Sequence, residues 1–168
     1  KPLRASRTLL NALKIASADA KKVDDVLGEF DKVFALNTFG TGEAREQLAS
    51  YTNGVVASDL PQEVKLKAFQ KAVSGLESQV AENSLDPRGH LFLASTYMRA
   101  GQLDNALAVL NKARELSPTR PHILFLLADA YISKGDNAKA LEAVEKAYNL
   151  DKYYPDAVRN LAVVAILN

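Results

Sequence analysis

The sequence has no cysteine and no tryptophan, one methionine and two histidines in 168 residues. Without cysteine there is no disulfide and no thiolate to bind zinc or attack a substrate, although the compartment stays open, since proteins on either side of a bacterial inner membrane can lack it. His90 and His122 are far apart in the sequence, without the one-turn spacing a helical metal site needs. No glycine-rich phosphate loop is present. Gly40-Thr41-Gly42 reads as a turn before a helix; its N–H groups could face an anion, but capping explains it more simply. No run approaches the roughly 18–20 apolar residues of a membrane-spanning helix. Twenty-one basic and twenty acidic residues nearly cancel, so net charge gives no argument for nucleic acid or for bulk attraction to a membrane. The acids alternate with bases as on solvated helix faces, and no Ser/His/Asp set can be assembled. No catalytic residue, metal or cofactor is expected.

What is present is a period. Apolar residues make up 48% of the chain, and residues 87–120 overlie residues 121–154 without a gap at a spacing of 34. Ten positions are identical: Pro87/Pro121, Leu93/Leu127, Ala94/Ala128, Tyr97/Tyr131, Gly101/Gly135, Ala106/Ala140, Leu107/Leu141, Lys112/Lys146, Ala113/Ala147 and Leu116/Leu150. Leu-Ala pairs one large and one small residue, the small one letting a neighbouring helix come close. Each tyrosine lies three residues beyond its alanine, on the same helical face. Gly101 and Gly135 fall where a first helix must stop, and glycine accepts the left-handed conformation that ends it. Pro118 follows the second helix, where proline cannot continue it. A third copy opens at Pro155 with Leu161 and Ala162 in phase.

Residues 1–86 are helical in pattern but irregular. Arg4–Ala20 carries Leu9, Leu10, Leu13 and Ile15 at helical spacing. Val23–Leu36 can be laid on Leu103–Leu116, matching Leu27, Lys32 and Leu36. Asn37–Gly42 is a turn, with Thr41 or Gly42 placed to cap a helix reaching about Ser58. Pro61 suits the first position of a helix running to about Asn83, and Ser84–Pro87 breaks it.

A 34-residue helix-turn-helix unit of this kind resembles the tetratricopeptide repeat. The resemblance implies an all-α fold, a right-handed alpha-alpha superhelix of antiparallel helix pairs. The chain then reads as a single solenoid domain over 1–168: a degenerate repeat at 7–40, an irregular helix pair at 42–86, repeats at 87–120 and 121–154, and a partial repeat, one helix only, at 155–168. Two departures stand out: His90 and Leu124 take the family's tryptophan-like position, and Lys152 replaces its second proline. By the repeat's register the inward surface is Arg88, Leu91, Ser95, Met98 and Arg99, then His122, Phe125, Asp129, Ile132 and Ser133, then Asp156, Arg159, Val163 and Ile166. Such a groove implies non-catalytic binding of a peptide or partner protein through apolar anchors and arginines. The same residues could instead finish the core, and His90 reads as a structural histidine. The cationic clamp of chaperone-tail receptors is absent, its places holding Leu91, Ser95, Leu126, Asp156 and Asn160. Tyr153 and Tyr154 pack in a helix seam or meet a partner, the seam being preferred.

Lys1–Leu13 and Phe34–Leu48 resemble the stretch after the last membrane helix of bacterial O-antigen ligase/polymerase-type membrane proteins that carry C-terminal tetratricopeptide repeats. That resemblance implies a bacterial accessory domain tethered to the inner membrane by a segment before Lys1, with no catalytic residue carried over. Among the first 22 residues Lys1, Arg4, Arg7, Lys14, Lys21 and Lys22 meet only Asp19, which after a membrane span favours the cytoplasmic side. A third reading is a structural spacer that self-associates through 155–168, where the run Leu161–Leu167 is apolar; more repeats following in a longer parent chain would cover that face instead.

Overall fold

A computed structural model describes residues 1–19 and 22–150, and beyond them Lys152, Tyr153, Pro155, Arg159, Leu161 and Val164. The described residues form eight helices and no strand, and no helix among them is long and apolar enough to cross a membrane. The chain divides into two compact units, Lys1–Ser84 and Leu85–Asn168.

The first unit contains α1 (Pro2–Ala18), α2 (Val23–Leu36), α3 (Thr41–Ala57) and α4 (Gln62–Glu82). α1 pairs with α2 and α3 with α4, and α2 also touches both α3 and α4. Its core gathers Ala12, Val26, Phe30, Leu48, Ala68 and Ala72, with Leu9 and Ile15 packed against them. Asn37 ends α2 in the left-handed conformation. Gly40, not Thr41, is the cap of α3; the Thr41 hydroxyl instead accepts the Thr38 N–H at 3.0 Å. Pro61 likewise caps α4 from outside rather than opening it.

The interior of this unit is partly polar. Glu46 and Gln79 are buried along with Thr41 and Thr52. The Gln79 amide donates to the Glu46 carboxylate at 3.2 Å. The Tyr51 hydroxyl, Asn53 Oδ1 and Gln79 Oε1 are buried without a hydrogen-bond partner, and burial pushes the Tyr51 phenol above its ordinary range. Three ion pairs join different helices: Arg45–Glu82, Lys67–Asp24 and Lys71–Asp31. The first is bidentate, at 2.7 and 2.8 Å.

The second unit contains α5 (Pro87–Arg99), α6 (Leu103–Leu116), α7 (Pro121–Lys134) and α8 (Asn137–Leu150). α5 pairs with α6 and α7 with α8, and α6 also lies against α7. The two hairpins repeat bond for bond. The Gln102 N–H reaches the Tyr97 carbonyl at 2.9 Å and the Gly101 N–H that of Met98 at 3.0 Å; Asp136 reaches Tyr131 and Gly135 reaches Ile132, both at 2.9 Å. Both closures are Schellman motifs, and each needs a left-handed residue; Gly101 and Gly135 supply it with φ of 72° and 81°. Tyr97 and Tyr131 therefore occupy equivalent seats. Small residues, among them Ala94, Ala106, Ala128 and Ala140, are buried where the helices cross, and Leu110, Ile123, Leu127 and Val144 fill the space between. Pro155, Arg159, Leu161 and Val164 are helical, and Val164, 2% exposed, joins this core.

Candidate functional site

α5 and α7 both begin on a proline, whose fixed φ suits a first helical turn and whose missing N–H is not needed there. The turn before α5 is pinned twice: the Asp86 carboxylate accepts the Arg88 N–H at 2.9 Å, and His90 Nδ1 lies 3.0 Å from the Asp86 carbonyl. His90 is 4% exposed, so its role is structural. These anchors set the rotation of α5 and so fix which side chains reach the surface.

A depression of about 550 Å³ is lined by Arg88, Leu91, Phe92 and Ser95 of α5 and by Arg120, His122 and Leu126 at the start of α7. Leu91 and Leu126 are half-buried and rest on the core, leaving apolar surface open. Arg88 is exposed, with its guanidinium carbon 5.9 Å from the ring centre of Phe92, a cation–π distance. Arg120 and His122 are exposed on the opposite side. An apolar floor is thus rimmed by two permanent positive charges and an imidazole. One turn beyond Leu126, loss of surrounding water raises the Asp129 carboxyl above the ordinary carboxylate range, and His122 pulls it partly back.

The structure brings together four of the expected groove residues, Arg88, Leu91, Ser95 and His122. Leu126, which the sequence places only at a clamp position, lines the same depression, as do Phe92 and Arg120, to which the repeat register assigns no inward position. Phe125 departs from expectation. The register puts it on the open surface, yet it is 8% exposed and belongs to the core, because the face of α7 toward α6 and α8 is wider than one stripe. Met98 and Ile132 are half-buried against that core. Asp129, Ser133, Arg99 and Arg159 are exposed, and the Ser133 hydroxyl donates to the Asp129 carbonyl at 2.8 Å. Asp156, Val163, Ile166 and Tyr154 lie outside the described residues. Tyr153, preferred as a seam residue, is 95% exposed instead.

Two family models, both for the tetratricopeptide repeat, match residues 66–121 and 97–147. The first reaches back into α4, further than the 34-residue identity extends. No curated protein sequence matches the chain significantly. Among solved structures, MamA (41-end) from Desulfovibrio magneticus RS-1 is 20% identical with a TM-score of 0.62, over 90% of this chain and 77% of that one. A thermophilic TPR protein of Thermus thermophilus is 19% identical with a TM-score of 0.61, over 96% and 99%. The Yersinia enterocolitica type III secretion chaperone SycD, in complex with a peptide of the translocator YopD, is 18% identical with a TM-score of 0.55, over 74% and 94%. At such identities the likeness concerns the fold.

Proposed function

Since the chain is a tetratricopeptide-repeat protein, a non-catalytic protein-interaction scaffold, we propose that the surface shared by α5 and α7 holds a peptide or a segment of a partner protein. The depression between Arg88 and Arg120 carries this reading: Leu91, Phe92 and Leu126 offer apolar area, and the cations on either side select for an acidic neighbour. A segment with a leucine- or phenylalanine-like anchor and one or two carboxylates fits that chemistry. SycD, which shares the fold, is solved with a peptide bound, and this supports a peptide as the kind of ligand. Of the other two readings, an accessory domain of a glycan ligase rests on the basic start of the chain, of which Arg4, Arg7 and Lys14 are exposed. The spacer that self-associates through 155–168 loses one apolar residue to its own unit, since Val164 is buried there.

Panning a phage-displayed random peptide library on the chain tests the proposal. Enriched peptides should pair acidic with large apolar residues. Arg120→Glu combined with Leu91→Ala should weaken them at least about tenfold with helicity by circular dichroism unchanged. Enrichment without that composition, or binding indifferent to both substitutions, removes the α5–α7 surface as the site. Phe125→Ala is unsuited to this purpose, because it opens the core.

A further inference from the structure

We propose that the outward face of α1 is a docking surface for an anionic lipid bilayer. At about 100° of turn per residue, Leu3, Arg7, Leu10 and Lys14 fall within roughly 60° of arc on this helix, opposite Ala5 and Ala12. The structure buries those two alanines and leaves Leu3 83% and Leu10 57% exposed. Two leucines therefore face outward, on the same line as two long cationic side chains. Arg4 is exposed beside them.

The charge on this helix differs from the rest of the chain. α1 contains no acidic residue. Elsewhere seven lysines and Arg45 each hold a carboxylate, whereas Lys1, Arg4, Arg7 and Lys14 form no ion pair among the described residues. The near-zero net charge of the whole chain thus conceals a local cationic strip. Leucines interleaved with long-stemmed cations suit an interface of apolar chains below and phosphates above. The leucines enter, while the arginine and lysine stems lie along the boundary with their charges at headgroup level. A second copy of the chain fits poorly, because pairing this strip with itself would bring its cations near those of the other copy with no acid on the helix to offset them. The inference is independent of the α5–α7 surface, which lies in the other unit.

Sedimentation of the full chain with sucrose-loaded vesicles tests it, using phosphatidylcholine alone against phosphatidylcholine with roughly a third phosphatidylglycerol. Binding should require the anionic lipid and should fall at least about tenfold between about 0.1 and 0.5 M salt. Arg7→Gln with Lys14→Gln should weaken it about tenfold or more. Leu3→Gln with Leu10→Gln should do the same, since both leucines are exposed in the folded protein and the change leaves the core intact. Equal binding to both vesicles overturns the proposal, as does full binding by the leucine variant. So does a lipid-free dimer, seen by analytical ultracentrifugation, that the leucine variant dissolves, because that outcome gives the face to a second copy.

Discussion

The two units solve the same packing problem with different materials. In Leu85–Asn168 the hairpins close through main-chain bonds at Gly101 and Gly135, and helices approach one another over buried alanines. Lys112–Glu115, Lys139–Asp136 and Lys146–Glu142 are ion pairs one helical turn long, and Lys134–Asp104 joins two helices. In Lys1–Ser84 no glycine of positive φ closes a turn among the described residues. That unit instead buries Glu46 against Gln79 and ties its helices with Arg45–Glu82, Lys67–Asp24 and Lys71–Asp31. Where backbone geometry sets the angle between helices, side chains can be small and interchangeable. Where it does not, specific polar partners must supply the register, and desolvating them has a cost.

Deleting the same ring in each unit is the hardest blow to this contrast. Phe30→Ala and Phe125→Ala should each cost about 3–5 kcal/mol. Amide exchange should accelerate first across α1–α4 for Phe30 and across α5–α8 for Phe125, since solenoid stability is transmitted between neighbours. Equal acceleration in both units for either variant would show that they share one cooperative transition, as a single domain over 1–168 implies. Gln79→Leu should come next, at about 1–3 kcal/mol in urea unfolding, because the Glu46 carboxylate stays buried after losing a donor; a neutral result would mean that the polar interior of the first unit is incidental. Gly135→Ala and Gly101→Ala should each cost about 1 kcal/mol, and the two values should agree, because the closures are the same; unequal values would break the equivalence of the hairpins. Arg45→Met should have the smallest effect, under about 1 kcal/mol, as the Glu82 side chain is 59% exposed and screened. Its pH dependence is specific. The Arg45 guanidinium holds Glu82 below its ordinary 4.5, so the pair contributes fully above the normal carboxylate pKa and nothing once the pH has fallen through the lowered value. Wild type and variant should therefore converge in acid.

Much of this was legible before any coordinates. Helix boundaries in the second unit follow from Pro87, Gly101, Pro121 and Gly135, because those residues act through their own backbone and need no neighbour. The Leu-Ala pairs at 93–94 and 127–128 are buried as their spacing implies. The burial of Glu46 and Gln79 was not legible, because a charged residue on a helix is normally solvated and only the position of α4 decides otherwise. Phe125 was misplaced for a related reason: a register taken from one repeat does not know how many helices will crowd around it. Arg120 carries no such signal, because it precedes its helix and so belongs to no periodic face. Leu10 reads as one of several apolar residues in a helical pattern; helix geometry sets it opposite Ala5 and Ala12, but only the structure shows that the alanine side is the buried one.

The twin closures at Gly101 and Gly135 have a practical corollary. The bonds that close each joint run between main-chain atoms, so the α5 and α7 residues proposed to meet a ligand can be rewritten without removing a bond of the hinge that aims them. An engineer could exchange Leu91, Ser95 and Leu126 for other shapes and keep the same frame, much as a tool accepts different bits in one chuck.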